Sequence, residues 1–316
     1  MKKPLRPRAL LLAATGLVAL LTPPTARAEP LEFKQVWITG KTYVQSVDIQ
    51  QRSAVPLGVQ TMDQELRITS ETSTSVLPVG SGKILSVRQG RMTLKIEMAG
   101  QNLNFDSTKP AEDPLGLGKF FEKLSSAPIQ IQLNAKDEPE KLLSTISLGE
   151  TDAPSENPAS ELFNPNSILD TLRQSSLRTP PSGPVSPGGS WKWAFTQQVP
   201  MAGTLSASGN YVFKAMTQKN GVPCAEISME GTLSNSPAAA SSGPEADLQK
   251  AMGMKISSGK MAGTLWFDPA LGSVREAVID QDLELTMQNP ALPGGKLVVP
   301  THSRIQSTLK SVEDNR

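Results

Sequence analysis

The chain has 316 residues, 38% of them hydrophobic and 4% aromatic, and a formal net charge of +1. A near-neutral chain without a block of basic residues is not typical of proteins that bind nucleic acid or anionic lipid headgroups. The single cysteine and single histidine exclude an internal disulfide and a zinc site built from several histidines. The stability of the fold must therefore come from a hydrophobic core, which a chain of this length can form.

Residues 1–28 have the parts of a secretory signal peptide. Four basic residues precede an apolar run over 9–21, which is too short to span a bilayer. Small residues then precede a predicted cleavage site between Ala28 and Glu29. No cysteine lies near this site, so we expect an exported protein, periplasmic or extracellular, with neither a lipid anchor nor a transmembrane segment in the mature chain.

Removal of this segment changes the charge of the chain. It holds five of the 31 basic residues and none of the 30 acidic ones, so the processed chain has 26 basic and 30 acidic residues, a net charge of −4. A mildly acidic protein of this kind is not expected to bind nucleic acid.

Polar and apolar residues alternate along several stretches of the chain. The clearest is Arg91–Met98, where every even position is apolar, and Ile129–Leu133 and Ala277–Met287 repeat the pattern. Such alternation is typical of antiparallel strands with one buried face. The sequence predicts a mainly β (α+β) fold of antiparallel curved sheets or barrel-like half-barrels with a few short helices. A closed barrel, a strongly curved open sheet and two half-barrels all satisfy the pattern.

Two segments have the pattern of a short helix. Asp113 and Pro114 can begin the first, which runs to Leu124, because aspartate caps helices and proline fits the first turn. Asn164–Asn166 can begin the second. Both segments have narrow apolar stripes, so we expect each helix to cover or plug a sheet.

Composition divides the chain into four parts. Residues 1–28 are the signal peptide, and 29–150 and 190–316 are two strand-rich halves. Residues 151–189 are a linker with a short helix, because this region is rich in proline and serine. Proline donates no hydrogen bond to a strand ladder and is excluded from strand interiors.

The chain contains no complete set of catalytic residues. We expect His302 to be a surface or hydrogen-bonded histidine and Cys224, which lies between apolar residues, to be a buried, unreactive thiol. Ser257–Lys260 and Ser307–Lys310 match a serine–lysine spacing of some acyl enzymes, but the companion motifs are missing. Gly80–Lys83 lacks the serine or threonine that follows the lysine of a phosphate loop, so it predicts a turn. The sequence predicts no catalytic residue, no metal site and no cofactor.

Three carboxylates share one face of a predicted strand, at Asp280, Asp282 and Glu284. Alternate residues of a strand lie about 7 Å apart, and carboxylates at this spacing can bind Ca²⁺ if a facing loop adds oxygen ligands. No calcium-loop glycine pattern accompanies them. A solvated polar face is therefore the favoured interpretation.

Trp191, Trp193 and Phe195 lie on one face of the strand that follows the linker. Two interpretations of this aromatic row remain open. The row can line an apolar ligand pocket, or it can anchor the core of a chain that has few aromatic residues.

Gly263–Val274 predicts a hairpin, because Asp268 can begin a turn and Gly272 can supply the positive φ that closes it. This hairpin, Phe105–Ser107 and Pro184–Trp191 together resemble an uncharacterised bacterial family of exported, β-rich, often lipid-anchored proteins, known as a domain of unknown function. The resemblance covers most of the mature chain and implies no activity. The chain departs from that family in lacking a cysteine for lipid attachment.

These patterns lead to two functional hypotheses. The first is a non-enzymatic envelope protein that binds an apolar ligand, a lipid or a peptide, on the concave side of a sheet. The second is a structural or interaction module that engages another envelope protein through a strand edge or the proline-rich linker. A hydrolase built on His302 or on a carboxylate pair is disfavoured because no catalytic constellation is complete.

Overall fold

A computed structural model of the chain describes residues 29–57, 60–109, 113, 117–143, 177, 179–199, 203–236, 255–288 and 295–315. The predicted signal peptide at 1–28 and the second predicted helix lie outside these residues. Of the predicted linker, only 177 and 179–189 are described. The division of the chain into two halves and a linker stays a prediction.

Twelve strands and one helix make up the described secondary structure. The elements before the predicted linker are β1 (Lys41–Leu57), β2 (Gln60–Val79), β3 (Gly82–Met98), β4 (Gln101–Asp106), α1 (Gly118–Ser126), β5 (Ile129–Leu133) and β6 (Pro139–Leu142). The elements after it are β7 (Ser190–Val199), β8 (Gly203–Lys219), β9 (Val222–Ser236), β10 (Lys255–Asp268), β11 (Ser273–Gln288) and β12 (Lys296–Asp314).

All twelve strands belong to one antiparallel sheet. The strand order is β6-β5-β3-β2-β1-β12-β11-β10-β9-β8-β7, and β4 pairs with β3 beside β5. This path has two ends, so the described strands form an open sheet. The prediction of a mainly β, antiparallel fold is confirmed, and the open sheet is one of the arrangements that the sequence left possible.

The two groups of strands meet at the centre of the sheet, where β1 pairs with β12. Their register runs from Lys41 opposite Asp314 to Ser53 opposite Thr301, with one bulge between Val44 and Gln45. The sheet is therefore continuous between the strands on either side of the predicted linker.

One face of the sheet carries a row of residues that stand directly opposite one another across ten strands. From β4 to β7 they are Phe105, Leu94, Ile68, Ile49, Ile305, Ile279, Gly263, Met229, Tyr211 and Trp191. Every side chain in this row is apolar or aromatic, apart from the glycine. We call this side of the sheet the apolar face. Alternation along each strand directs the neighbouring polar residues to the other side, the polar face.

Two hydrophobic clusters cover separate parts of the apolar face. The first spans β7 to β11 and contains Trp193, Tyr211, Phe213 and other buried residues. The second lies near the β2–β3 turn and contains Tyr43 and Leu85. The sheet thus has two cores, of which the second also includes Leu309 from β12.

The segment before β1 connects the two clusters. Phe33 is 1% exposed in the first cluster and stacks on Trp191 at 5.1 Å. Trp37 belongs to the second cluster and meets Tyr43 edge-on at 5.0 Å. Between them, the amide of Val36 donates a hydrogen bond to the carbonyl of Gly272 at 2.8 Å.

Helix α1 packs on the apolar face at β4. Phe121 of the helix contacts Phe105 with ring centroids 5.0 Å apart, and both residues are buried. The helix begins at Gly118 with Leu117 as its N-terminal cap, four residues later than predicted, although the carboxylate of Asp113 does accept a hydrogen bond from the Gly118 amide. The predicted role of this segment, a helix that covers the sheet, is confirmed.

The predicted hairpin between β10 and β11 is also confirmed. Gly272 has φ +62°, and its amide donates to the carbonyl of Asp268 at 2.8 Å. The Asp268 carboxylate accepts from the amides of Ala270 at 2.9 Å and Leu271 at 3.1 Å. A Cβ at Gly272 would lie 2.8 Å from the side chain of Val36, so both conformation and contact favour glycine there.

Asp106 at the end of β4 makes stability depend on pH. Arg91 and the backbone of Thr108 donate hydrogen bonds to its carboxylate and hold its pKa well below the usual range. A carboxyl group with a lowered pKa stabilises the fold above the pKa of about 4 that it has in the unfolded chain, and this contribution is lost as the pH falls through the lower folded value. We expect the free energy of unfolding to fall as the pH drops below about 4.

The Asp106→Asn variant should show a smaller fall over the same pH range, and so should Arg91→Gln, which removes the principal cause of the shift. Urea unfolding between pH 2.5 and 6 would measure this. Identical pH profiles for the wild type and both variants would contradict the assignment.

Candidate functional site

The apolar side chains in the middle of the apolar face are more exposed to solvent than those of its two clusters. Ile49, Ile68 and Ile305 belong to neither cluster, and all three are partly exposed. Ile279, next in the row, is partly buried against the first cluster. We call these four residues the isoleucine row. Large apolar side chains that keep access to solvent on a broad sheet face are typical of a surface that contacts an apolar ligand or partner.

Leucines and one further isoleucine extend this partly exposed surface. Leu94 and Ile96 continue it on β3, and Leu66 on β2 stands opposite Ile96. Leu283 extends it on β11. Because neighbouring strands lie about 4.8 Å apart, the surface from β3 to β11 is about 19 Å wide.

The apolar face is interrupted by uncharged polar residues beside the isoleucine row. Six such residues from four adjacent strands form a block that we call the polar island: Gln51, Ser53, Gln64, Gln281, Thr301 and Ser303. The Ser53 and Thr301 hydroxyls are hydrogen-bonded at 3.0 Å, and Gln51 Nε2 lies 3.5 Å from the Ser53 hydroxyl. Thr301 and Ser303 are each 5% exposed.

The charged residues of these strands lie on the polar face, where they pair across strands. Arg304 contacts Asp280 at 3.2 Å, and Arg67 contacts Asp48 at 2.6 Å. His302 Nδ1 lies 2.8 Å from Asp282. These pairs are well exposed, so each contributes little to stability.

The three carboxylates that suggested a calcium site are thus occupied by protein partners. Asp280 and Asp282 pair with β12, and Glu284 accepts a hydrogen bond from the Ser257 hydroxyl at 2.8 Å. Within the described part of the chain, no group of three or more histidine, cysteine or acidic side chains is arranged to hold a metal ion.

Three hollows of about 730, 520 and 630 Å³ are lined mainly by positions of the polar face. The first of them contains Arg52, Glu65 and the His302–Asp282 pair. Trp191 and Trp193 line none of the three. A histidine–carboxylate pair can hold a proton, but catalysis by such a pair also needs a nucleophile within hydrogen-bonding distance of the histidine. Among the described residues, no serine, threonine or cysteine is hydrogen-bonded to His302.

The other residues that carried a chemical hypothesis have structural roles. Cys224 is fully buried, and burial, with a further effect of Asp268, raises the pKa of its thiol. Gly80–Lys83 forms the β2–β3 turn. Lys83 Nζ there contacts the Asp137 carboxylate at 2.8 Å and donates to the carbonyl of Trp37 at 2.7 Å.

The aromatic row of β7 lies against the first cluster. Trp193 is 1% exposed and packs between Phe195 and Tyr211, with ring centroids 6.1 and 5.9 Å away. Trp191 and Phe195 are partly buried, and the Trp191 indole donates to the carbonyl of Thr179 at 2.9 Å. The structure therefore brings these residues together at one end of the sheet, away from the isoleucine row.

Sequence reasoning did not identify the isoleucine row or the polar island. Ile49 and Ile305 are neighbours only because β1 pairs with β12, about 250 residues further along the chain. The island had one readable signal. Gln51, Gln281 and Ser303 occupy positions where the alternation of their strands calls for an apolar residue.

Comparison with known proteins identifies the family of the chain. The model of a family of unknown function, DUF6263, matches residues 80–274. The chain belongs to this family. The resemblance to an uncharacterised family is thereby confirmed. No curated protein matches the chain.

Solved structures show a likeness in fold. A structure of lipovitellin, solved to study its lipid–protein interactions, matches with a TM-score of 0.50 and 13% identity over 89% of this chain. The match covers 26% of the lipovitellin chain, so the chain spans about a quarter of the length of that protein. At this identity the likeness shows a shared fold and nothing about function.

Two further structures match over more of their own length. The match to a Bacteroides fragilis protein with a YmcC-like fold covers 90% of this chain and 100% of that protein, with 8% identity and a TM-score of 0.21. The match to DynF from the dynemicin biosynthesis pathway of Micromonospora chersina covers 89% of this chain and 85% of that protein, with 9% identity and a TM-score of 0.20. These TM-scores are too low to support an argument.

Among the described residues, no helix has the length and apolar character needed to cross a membrane.

Proposed function

We propose that this chain is an exported, non-enzymatic protein of the cell envelope that binds an apolar ligand on the apolar face of its sheet. The observation that carries the proposal is the isoleucine row, a set of large apolar side chains that stay partly exposed between two closed clusters. Export is supported by the signal-like residues 1–28. We take a lipid as the ligand to be tested first, by analogy with lipovitellin, a protein of similar fold studied for its lipid interactions.

The size of the surface fits this function. Full burial of a valine, leucine or isoleucine side chain contributes about 1.5–3 kcal/mol. The four isoleucines are partly buried already, so a ligand that covers them gains a fraction of this amount for each. The hydrocarbon of the ligand leaves water at the same time and contributes a further amount of about 0.8 kcal/mol for each buried CH₂ group, and these two contributions together oppose the cost of association.

Two features support a role without catalysis. The His302–Asp282 pair stands in solvent, with side chains 52% and 77% exposed, and enzymes usually shield such pairs from water. Cys224 is buried and its pKa is raised, the opposite of an activated thiol.

Ligand binding is tested by titrating the purified full chain with N-phenyl-1-naphthylamine, a probe that fluoresces in apolar sites. The Ile49→Lys variant should bind the probe at least tenfold more weakly, because it places a charge at the centre of the apolar face. Gln50→Lys is the matched control, since the neighbouring residue lies on the polar face, and it should bind like the wild type. Ile49→Gln gives the same comparison if the lysine variant does not fold by circular dichroism.

The proposal fails if the wild-type chain neither binds the probe nor carries extractable lipid by mass spectrometry. It also fails if Gln50→Lys weakens binding as much as Ile49→Lys, because the apolar face would then have no special role.

A further inference from the structure

The polar island lies within the proposed ligand surface and not at its border. On one side of it is the isoleucine row, two residues along each strand from Gln51 and Ser303. On the other side, Val55 faces Met62, and Val299 faces Leu285. A ligand lying along the strands therefore passes from an apolar stretch to a polar one and back to an apolar one within about 20 Å.

The island keeps hydrogen-bonding capacity for a ligand. Ser53 and Thr301 satisfy each other. Within the described part of the chain, no side-chain hydrogen bond is made by Gln64, Gln281 or Ser303. Each glutamine amide offers two N–H donors and a carbonyl acceptor, and the serine hydroxyl both donates and accepts. Covering these polar groups with a ligand is unfavourable unless the ligand replaces the hydrogen bonds that they make to water.

The island carries no charge. Along β1, β2, β11 and β12 the charged residues near it occupy the alternate positions, on the polar face: Asp48, Arg52, Glu65, Arg67, Asp280, Asp282, Glu284 and Arg304. A charged ligand group held against the apolar face would thus have no counter-charge beside it, and an uncompensated charge in an apolar setting is costly.

The position of the island also argues against a role in protection from aggregation. Proteins place polar and charged residues on edge strands to prevent edge-to-edge pairing. The island lies on four strands at the centre of the sheet, each paired on both sides. Its residues therefore protect no edge.

We infer that the polar island recognises an uncharged hydrogen-bonding group, an ester or amide, within an otherwise hydrocarbon ligand. The inference rests on the proposed function, because it assigns the ligand class of the same face. Gln281 donates to the carbonyl oxygen of this group, and Ser303, directly opposite it, donates to or accepts from the remaining polar atom of the group. Gln64 lies three strands from Gln281 and binds a further polar atom of the ligand. The isoleucine row contacts the acyl chain.

The experiment is displacement of N-phenyl-1-naphthylamine from the full chain by three ligands with equal chain lengths, delivered from cyclodextrin. They are 1-monoolein, an uncharged ester; 1-octadecene, which has no polar group; and oleate, which is charged. The wild-type chain should prefer monoolein about tenfold over each of the other two. The Gln64→Leu/Gln281→Leu double variant should lose this preference and still bind the probe. Gln50→Leu, on the polar face, should keep it.

The outcomes separate the two proposals. If the probe does not bind the wild type, the proposed function itself fails. If the probe and octadecene bind but monoolein has no advantage, or if oleate binds best, the apolar face stands and the assignment of the island is overturned. The assignment of the island is also overturned if the folded double variant keeps the full preference for monoolein. If the double variant does not fold, Ser303→Ala takes its place in this comparison.

Discussion

Replacement of Trp193 by alanine should lower the free energy of unfolding by about 3–5 kcal/mol, the usual cost of removing a fully buried large aromatic side chain. Trp193 is 1% exposed and contacts Phe195 and Tyr211. Its ring lies over Gly231, where a Cβ would overlap it. Alanine would leave a cavity bordered by a glycine that cannot fill it.

Trp193→Phe is the matched variant. It keeps an aromatic ring over Gly231 and removes an indole N–H that has no hydrogen-bond acceptor among the described residues. We expect the free energy of unfolding to fall by less than about 2 kcal/mol. The smaller ring makes fewer packing contacts, but removal of a buried N–H without an acceptor offsets part of this loss. Urea unfolding followed by circular dichroism measures both variants. A loss below 1 kcal/mol for alanine would show that this ring is no core anchor, and the aromatic row would again be a candidate for ligand contact.

Replacement of Asp268 by alanine should cost about 2–4 kcal/mol, because it removes a buried carboxylate with three partners. Asp268 is 2% exposed. It accepts from the turn amides of Ala270 and Leu271 and contacts Arg275 Nε at 2.7 Å. Alanine leaves the two amides and the guanidinium without this acceptor in the β10–β11 turn.

Asp268→Asn separates the turn from the ion pair. The asparagine carbonyl can still accept from the two amides, whereas the charge opposite Arg275 is lost, so we expect about half of the loss that alanine causes. Thermal and urea unfolding of both variants would give the comparison. Equal losses in the two variants would mean that the ion pair and not the turn accounts for the effect.

Local patterns predicted the local structure of this chain. Alternation at Arg91–Met98 and Ala277–Met287 predicted strands that the structure contains, because a two-residue period needs only the pleat of a single strand. Asp268 and Gly272 predicted a turn because their conformations are set within a few residues. The predicted helix was shifted by a few residues, since Leu117 and not Asp113 is its N-terminal cap.

The candidate site depends on pairings that no local pattern contains. The isoleucine row requires β1 to lie beside β12, and nothing in either strand specifies the other as its partner. The ambiguity of Trp193 has the same origin. Its burial depends on neighbours that come from other strands, notably Tyr211 on β8 and Gly231 on β9. The alternation of each strand marks Gln51, Ser303 and Gln281 one by one, but only the register shows that they stand opposite one another.

The pairing of β1 with β12 also sets the order in which this molecule can be completed. A ribosome or an export channel delivers β1 long before β12, so the hairpins on either side can form before β1 and β12 pair. Until the last strand arrives, β1 and β11 each present an unpaired edge that is apolar on one side. Closing a loop of some 250 residues is slow. Until the sheet is complete, pairing of these edges with another copy of the chain competes with the pairing of β1 and β12.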